Sequence, residues 1–497
     1  MSNITDLSKS RYCKGIQCPK MLWLDAYKPQ EAEDILPESV LANGTLVGDL
    51  ARSYFGEYSL VDFSFDKTEM VNKTNELMQS GAENIAEAAF EHDGLYCAVD
   101  ILHKNGNGWD IIEVKSSTEI HPIYIEDMAF QYYLLTLCGL DIKNVFNMHL
   151  NKYYVRHGEL DLKKLFVLED CTENVRQKFN KVESNISAIR SYVSVSDEPT
   201  RDIDTYCENP YECAYRKYCG RHLPEHSVFD IAGMQTRTKY KHYHNGIISY
   251  EDVLANEKKL KLNAKQKIQI ESTLYGLPDK IDVYEIKKFL DTLTYPVYHL
   301  DFETFQQPVP QFDDVRPFQQ IPFQYSLHIE QQDGSLEHKE FLGKEGTDPR
   351  RALAESLVRD IPMGVGSLAF NMSFEKTVIK NLAGQFPDLS EQLMDIHDNM
   401  HDLMIPFKDA SYYSEAMQGS YSIKYVLPAL YPNDPELDYH NLNGIHNGSE
   451  ASNAFAEMAS HTPEEIAEIR KNLLKYCGLD TYAMVKVLRK LREAVGD

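Results

Sequence analysis

The sequence of 497 residues contains no apolar run long enough to cross a bilayer, which takes about 18 residues or more. Its first residues, MSNITDLSKSRYCKG, are polar and hold no apolar segment behind a basic start, so nothing indicates a secretory signal. No internal repeat or low-complexity block is visible. We therefore expect a cytoplasmic protein with no membrane partner.

Length and composition predict a globular chain of several domains, and the strand and helix motifs described below predict that its class is α/β. Hydrophobic residues make up 43% and charged residues 26%, which excludes wholesale disorder and collagen-like structure. At roughly 150 residues per domain, the length suggests about three domains. We place the boundaries at 1–225, 226–290 and 291–497.

The charge argues against a protein that coats nucleic acid. The net charge is −25, and nonspecific affinity for phosphates comes from Lys and Arg displacing counterions. A nuclease remains compatible with this charge, because carboxylates that hold divalent cations raise the acidic count and the cations reverse the local field. The segment 226–290 stands apart with a net charge of +3.

The nine cysteines are odd in number and predict a metal site rather than a disulfide framework. Cys207, Cys213 and Cys219 fall within 13 residues, and Cys18 is the best fourth ligand, with Cys13 in reserve. Four thiolates suit zinc or an iron–sulfur cluster. Zinc sites usually have gaps of two to four residues, so the five-residue gaps here favour iron–sulfur. The remaining cysteines are assigned to the core: Cys97, Cys138, Cys171 and Cys477.

A β-hairpin with a turn at KNGNG is predicted over residues 95–115. Asp100 lies on its first strand, and Glu113 and Lys115 share one face of its second strand. A carboxylate pair of this kind can hold a divalent ion, and the lysine can orient the attacking water or stabilise developing phosphate charge.

Helices are predicted on both sides of this hairpin. The helix that follows it places Asp127 and Gln131 four residues apart on one face. The segment before it, GAENIAEAAFEHDG, is also predicted to be helical and offers Glu83 and Glu87.

The order D…E-x-K, a Gln-bearing helix, and one early plus three late cysteines resembles the iron–sulfur PD-(D/E)xK nucleases of the RecB type. The resemblance covers about residues 10–222 and implies a restriction-endonuclease-like fold. It also implies catalytic roles for Asp100, Glu113 and Lys115. Gly48 stands where that family usually has a histidine. Glu87 is the alternative to Asp100 as the first carboxylate of the site. The resemblance further implies a [4Fe–4S] cluster held by Cys18, Cys207, Cys213 and Cys219.

The segment 226–290 reads as a basic helical connector. Its pattern NGIISYEDVL is similar to the hairpin of helix-hairpin-helix modules, and basic residues alternate with aromatic ones. Such a surface suits a phosphate backbone, while an ordinary solvated helix joining two domains is the alternative. The candidate nucleic-acid-binding residues are Lys258, Lys259, Lys261, Lys265 and Lys267.

Three motifs follow in the last section. A strand, YPVYHLDFETF, carries Asp301 and Glu303; a short strand turning into a helix carries Glu375; and a long amphipathic helix carries Tyr476 and Asp480. Residues four apart on a helix share a face. Such a set can hold two divalent ions about 4 Å apart for in-line phosphodiester hydrolysis.

This order resembles the DEDDy 3′–5′ exonucleases of the DnaQ type, within the ribonuclease H-like superfamily, over about residues 293–495. The resemblance implies that Asp301 and Glu303 bind both metals, that Tyr476 positions water and that Asp480 completes the site. Glu375 stands where the family has aspartate, and Asp402 is the alternative. The whole chain resembles an uncharacterised exonuclease-like family, whose members are often fused behind a RecB-like iron–sulfur domain.

Together these motifs predict a chain with two nuclease sites that require Mg²⁺ or Mn²⁺. Single-stranded DNA is the expected substrate and RNA the alternative, in DNA repair or in antiviral defence. The competing hypothesis is a non-catalytic or half-active nucleic-acid-binding scaffold. A nuclease of this kind would combine 3′–5′ trimming in the C-terminal domain with a second cut in the N-terminal domain.

Overall fold

The computed structural model describes residues 4–35 and 38–496 and has a mixed α/β architecture. It divides into two compact units. Unit 1 comprises Met1–His222 and Gln307–Gln319, and unit 2 comprises Leu223–Gln306 and Gln320–Asp497. The segment 226–290, expected to be a separate connector, therefore belongs to unit 2.

A seven-stranded mixed sheet forms the centre of unit 1. Its strands are β1 (Leu7–Ser8), β2 (Ser59–Leu60), β3 (Asn84–His92), β4 (Leu95–Asn105), β5 (Gly108–Lys115), β6 (Ile142–Leu150) and β7 (Phe166–Asp170). The order is β2-β3-β4-β5-β6-β7, and β1 pairs in parallel with β4. The predicted hairpin is confirmed as β4 and β5, whose antiparallel ladder closes at Asn105 and Gly108.

The helices of unit 1 cover this sheet. They are α1 (Lys9–Gln17), α2 (Pro19–Tyr27), α3 (Glu38–Arg52), α4 (Lys67–Gln79), α5 (Pro122–Leu137), α6 (Leu162–Leu165), α7 (Thr172–Arg176), α8 (Phe179–Val193) and α9 (Arg216–Cys219). Short 3-10 helices span Pro29–Glu31, Ser53–Phe55 and Thr205–Cys207. The predicted helix after the hairpin is confirmed as α5, which buries Phe130 and Leu134 against the sheet.

The predicted helix before the hairpin is wrong, because that segment forms β3. Its Ala and Glu content favours a helix locally, but the run Asn84–His92 pairs with β4 along almost its whole length. Ile85, Ala88 and Phe90 are buried in the core of unit 1. Tertiary burial on both faces of the sheet therefore decides the conformation.

Unit 2 is built on a five-stranded sheet of order β11-β10-β9-β12-β13. Its strands are β9 (Val297–Phe305), β10 (Ile321–Glu330), β11 (Leu336–Leu342), β12 (Ser367–Ala369) and β13 (Met400–Asp402). β10 is antiparallel to both neighbours, whereas β12 is parallel to β9 and β13. A separate antiparallel pair joins β8 (Lys280–Ile281) and β14 (Tyr412–Tyr413).

The helices of unit 2 end in one long helix that packs on β9 and β10. They are α10 (Thr236–His244), α11 (Tyr250–Ala255), α12 (Glu257–Leu260), α13 (Ala264–Tyr275), α14 (Val283–Leu290), α15 (Arg350–Asp360), α16 (Ser373–Gln385), α17 (Ser390–Asp398), α18 (Ile405–Lys408), α19 (Ile423–Leu430), α20 (Gly448–Glu457) and α21 (Pro463–Val495). Short 3-10 helices span Val228–Asp230, Glu415–Met417, Tyr439–Asn441 and Met458–Ser460.

The long C-terminal helix predicted from the sequence is confirmed as α21. Its start is defined by a capping box between Thr462 and Glu465, with Pro463 at the first helical position. None of the helices in the described ranges combines the length and apolar character that crossing a membrane requires.

Candidate functional site

Unit 1 brings together the three residues that the sequence predicts on the β4–β5 hairpin. Lys115 Nζ donates to Glu113 Oε1 at 2.6 Å, as expected for neighbours on one face of β5. The backbone N–H of Val114 donates to Asp100 Oδ2 at 2.7 Å. This bond between the strands holds the Asp100 carboxylate beside the end of β5.

Helix α5 completes this site with Asp127 and Gln131, which share a face of the helix. Gln131 Nε2 donates to Glu113 Oε2 at 2.7 Å and to Asp127 Oδ1 at 3.1 Å. Lys115 Nζ also donates to Asp127 Oδ2 at 2.9 Å. Glu113, Asp127 and Gln131 are all buried, so the network is shielded from bulk water.

A second lysine in the site was not found from the sequence. Lys9 Nζ lies 3.3 Å from Asp100 Oδ1, 3.1 Å from Glu113 Oε1 and 3.2 Å from Glu113 Oε2. Lys9 begins α1 directly after β1, whose parallel pairing with β4 carries it to the hairpin. No local pattern signals this contact, since it arises from pairing between strands far apart in the sequence.

The two lysines largely neutralise the carboxylates of this site. Burial alone would raise the pKa of Glu113, but Lys115 and Lys9 outweigh it and lower that pKa well below its usual range. The pKa of Asp100 is raised to about 7 by burial and by the Glu113 charge. Glu113 is therefore the ionised member of the pair at neutral pH.

Glu87, the alternative first carboxylate, lies on β3, where its φ of 56° is in the left-handed region and the pairing with β4 is interrupted. Glu87 Oε1 accepts from Arg52 Nη2 at 3.1 Å. Its charge also contributes to the raised pKa of Asp100, so it lies within electrostatic range of the site. Gly48, one helical turn before Arg52 on α3, offers no side chain there.

The four predicted cluster ligands line one small cavity in unit 1. Cys18, Cys207 and Cys213 are buried and Cys219 is half-buried around it, and none of them is in a disulfide. Burial raises the pKa of each thiol, and neighbouring sulfurs of the group add to the rise at Cys207, Cys213 and Cys219. Cys13 lies elsewhere, within the electrostatic range of Asp127 and Lys115.

In unit 2, Asp301 and Glu303 project from the same face of β9, as the sequence predicts. One oxygen of each carboxylate and the Cys477 sulfur all lie within 4.8 Å of one another, the separation expected for ligands of one metal ion. Cys477 Sγ is 4.0 Å from Asp301 Oδ2. Cys477 is buried as predicted, but it lies in this site rather than in a separate core.

Glu375 enters the same site from the first turn of α16, just after the turn at Asn371. Its Oε2 is buried without a hydrogen-bond partner. Burial, with a contribution from Asp402, raises the pKa of Glu375 to about 8. Asp402 is less free to act in its place, because its Oδ1 accepts from the backbone N–H groups of Asn371 and Met404, each at 3.0 Å.

Helix α21 supplies Asp480 and Tyr476, four residues apart on the face toward β9. Tyr439, which the sequence reasoning missed, donates from its hydroxyl to Asp480 Oδ1 at 2.6 Å. The rings of Tyr439 and Tyr476 have centroids 6.0 Å apart. Tyr439 lies in the loop segment LDYHNLNG, which has no helical or strand periodicity that would have pointed to it.

The four carboxylates of unit 2 repel one another in a buried setting. Burial and the neighbouring Asp480 charge raise the pKa of Asp301 and of Glu303 well above the ordinary range. Burial also raises the pKa of Asp480 to about 7. Lys424, an exposed residue of α19, is the cation that opposes this shift at Glu303 and Asp480.

Replacing Tyr439 with phenylalanine removes the hydroxyl that keeps the pKa of Asp480 from rising further. We expect the acidic limb of the pH–rate profile of the proposed nuclease to move to higher pH. The rate below pH 7 should fall about tenfold, since one lost hydrogen bond to a charged group is worth roughly 1.5–3 kcal/mol. The exposed Tyr284→Phe variant is the control, and superimposable profiles would contradict the assignment.

The five lysines proposed for nucleic-acid binding lie on α12, on α13 and at the turn between them: Lys258, Lys259, Lys261, Lys265 and Lys267. Two of them already have acidic partners. Lys265 Nζ is 3.3 Å from Asp409 Oδ1, and Lys267 Nζ is 2.9 Å from Glu257 Oε2. These ion pairs reduce the positive charge that the segment can offer to phosphates.

Residues 298–422 match the family model of a domain of unknown function, DUF2779. The matched region carries Asp301, Glu303 and Glu375, and it ends before Tyr439 and Asp480. No curated protein and no solved structure matches the chain.

Proposed function

We propose that the chain is a divalent-metal-dependent nuclease whose principal active site is the carboxylate cluster of unit 2. The observation that carries the proposal is the excess of buried negative charge there. Asp301, Glu303, Glu375 and Asp480 converge, and each pKa is raised by burial or by a neighbouring carboxylate. A group of oxygens that is costly to ionise without a counter-charge fits Mg²⁺ or Mn²⁺.

The residues of this site divide the work of phosphodiester hydrolysis between them. Divalent cations held by the carboxylates would stabilise the entering and leaving oxygens of an in-line displacement. Tyr439 donates to Asp480 and opposes the rise of its pKa. Tyr476, on the same helical face as Asp480, would orient the attacking water. The raised pKa of Glu375, about 8, favours its protonated form at neutral pH, and Glu375 would give up that proton to hold a metal with the other carboxylates.

The sheet of unit 2 supports a ribonuclease H-like assignment. In chain order its strands are arranged 3-2-1-4-5 with the second strand antiparallel, and Asp301 and Glu303 lie on the central first strand. The helix carrying the last acidic motif packs across that strand. This arrangement supports a DEDDy 3′–5′ exonuclease that acts on single-stranded DNA, with RNA as the alternative substrate.

Unit 1 supports a second site of the PD-(D/E)xK kind, built from Asp100, Glu113 and Lys115 with Gln131 behind them. Its charge differs from that of unit 2, because Lys9 and Lys115 already offset the carboxylates. This balance specifically favours the half-active alternative, in which unit 2 cleaves and unit 1 binds metal weakly.

Removing the positive charge of Lys9 tests whether this lysine is what weakens metal binding in unit 1. With Lys9→Met, Asp100 and Glu113 lose their shared cation, so we expect Mn²⁺ to bind unit 1 at least tenfold more tightly. Calorimetric titration in an Asp301→Asn, Asp480→Asn background would isolate this site. Lys9→Arg, which keeps the charge, is the matched control, and equal affinities of the Met and Arg variants would contradict the role of Lys9.

We assign the cysteine cavity of unit 1 to a [4Fe–4S] cluster rather than to zinc. Cys207, Cys213 and Cys219 are separated by gaps of five residues, whereas zinc sites usually have gaps of two to four. Together with Cys18 they would hold the cluster as a structural staple.

The test of the proposed function is cleavage of single-stranded DNA labelled at the 5′ or the 3′ end, with Mn²⁺ and after anaerobic purification. The wild type is compared with Asp480→Asn, Lys115→Ala and the exposed control Asp388→Ala. We expect a 5′-labelled ladder that Asp480→Asn reduces by at least about 10²-fold, as loss of a key charge-stabilising group does. No cleavage of DNA or RNA by the wild type would favour the scaffold.

A further inference from the structure

A large cavity lies within unit 1, beside the Asp100–Glu113–Lys115 site. Its volume is about 1570 Å³, well above the roughly 300–1,000 Å³ of pockets for small ligands. Its walls come from α1, the first turns of α5, α7, α8 and the loop before the last two cysteines. The size indicates an extended occupant rather than a single small molecule.

Aromatic side chains line this cavity along its length. They are Tyr124, Tyr192, Tyr206 and Tyr211. Tyr211 is 56% exposed. The charged side chains of the lining are balanced: Lys178, Lys181 and Arg201 are positive, and Glu126, Glu169 and Asp170 are negative. Lys178 pairs with Glu126. The cavity therefore offers ring faces with little net positive charge.

The cavity lies close to both metal sites that unit 1 is proposed to hold. At one side the Lys115 ammonium lies 5.2 Å from the centre of the Tyr124 ring, and Tyr211 lies within the electrostatic range of Lys115 and Asp127. At the other side the Arg201 guanidinium lies 4.3 Å from the centre of the Tyr206 ring, and both residues also line the cysteine cavity.

We propose that this cavity binds single-stranded nucleic acid by stacking bases on its tyrosines and leads the strand to Lys115. The proposal rests on the proposed nuclease function and adds to it a substrate path in unit 1. Ring faces accept any unpaired base, whereas paired bases in a duplex are not free to stack on them. Three positive side chains line the path, and one of them, Lys178, is already paired with Glu126. The path is therefore expected to contact few phosphates.

The test measures binding of a fluorescein-labelled 20-nucleotide oligo(dT) in EDTA, where no cleavage occurs. Tyr211→Ser is compared with Tyr153→Ser, which changes a tyrosine of unit 1 that is 75% exposed and lies outside the cavity. We expect Tyr211→Ser to raise the Kd about tenfold and Tyr153→Ser to change it less than twofold. Equal Kd values for the two variants, or equal affinity for duplex, would overturn the proposal.

A second variant distinguishes a loss of binding from a folding defect caused by Tyr211→Ser. Lys181 is exposed on α8, far from the cysteine loop in the sequence. Lys181→Glu should weaken binding and reduce the slope of log K against log salt by about one, starting from a wild-type slope of no more than about two. A steep wild-type slope that Lys181→Glu leaves unchanged would place the binding elsewhere.

Parallel cleavage assays with Mn²⁺ separate this proposal from the nuclease function. Cleavage by the wild type together with unchanged binding by Tyr211→Ser would overturn the cavity proposal alone. Binding that depends on Tyr211, without cleavage of DNA or RNA by any form of the chain, would overturn the nuclease function alone and leave a binding module.

Discussion

Replacing Asp301 with asparagine is expected to abolish metal-dependent cleavage and at the same time to stabilise the metal-free protein. The substitution keeps the shape of the side chain but removes one of the carboxylates that repel one another beside β9. Activity should fall by at least about 10²-fold. The melting temperature without metal should rise by several degrees at pH 8, since one kcal/mol corresponds to about 2–4 °C in a unit of this size.

The sign of the pH dependence follows from the raised pKa values in the folded state. An aspartate in the unfolded chain has a pKa near 3.9, whereas the pKa of Asp480 is about 7 and that of Glu375 about 8 in the folded protein. Between about pH 4 and pH 8, the folded state binds more protons than the unfolded state. The free energy of unfolding therefore falls as pH rises from about 4 to about 8, and Asp301→Asn should make this fall shallower.

Mn²⁺ provides the complementary measurement. Binding to the folded state alone stabilises it by mass action, and the effect should be largest at pH 8, where the carboxylates are most costly without a counter-charge. We expect differential scanning calorimetry to show this metal-induced rise for the wild type and for the control Asp388→Asn, but not for Asp301→Asn. A variant that melts like the wild type at every pH would show that the Asp301 carboxylate carries no excess repulsion.

The sequence predicts those parts of the two sites that lie on regular elements. Alternation along β5 places Glu113 with Lys115, and alternation along β9 places Asp301 with Glu303. Helical spacing on α21 pairs Tyr476 with Asp480. In each case the period of the local element fixes which side chains share a face, so the sequence alone is sufficient.

The residues that sequence reasoning missed reach their sites through long-range contacts. Lys9 comes to Glu113 only because β1 pairs with β4, and Tyr439 comes to Asp480 from a loop without periodicity. The Ala and Glu content around Glu87 favours a helix locally, whereas pairing with β4 and packing against α4 make this segment a strand. Pairing between segments far apart in the chain produces no periodic pattern in a single sequence.

The electrostatic contrast between the two sites was also beyond the sequence. The number of acidic residues predicts metal binding at both sites, yet Lys9 and Lys115 neutralise the carboxylates of unit 1. In unit 2 the charge of Lys424 reaches Glu303 and Asp480 from an exposed position, where solvent screens it. Because an exposed lysine offsets the carboxylate charge less than the two lysines in contact with the carboxylates of unit 1, we expect divalent metal to change stability and activity most at the unit 2 site.

The Cys213→Ser substitution is expected to remove bound iron from unit 1 and to destabilise that unit strongly. Cys213 is buried, and its sulfur lines the same cavity as those of Cys18, Cys207 and Cys219. Ligation free energy is folding free energy where a site does not exist in the unfolded chain, and it amounts to about 10–16 kcal/mol for structural zinc. A comparable loss would leave unit 1 partly unfolded at 37 °C.

Iron and sulfide analysis of anaerobically purified protein, with thermal unfolding beside it, checks this expectation. Cys13→Ser is the matched control, because Cys13 lies near Asp127 rather than in the cysteine cavity and should leave the iron content unchanged. Unit 2 has its own core, so Cys213→Ser should retain metal-dependent cleavage within about threefold. Stoichiometric zinc without iron in the wild type would replace the cluster with a zinc site, and iron retained by Cys213→Ser would remove Cys213 from the ligand set.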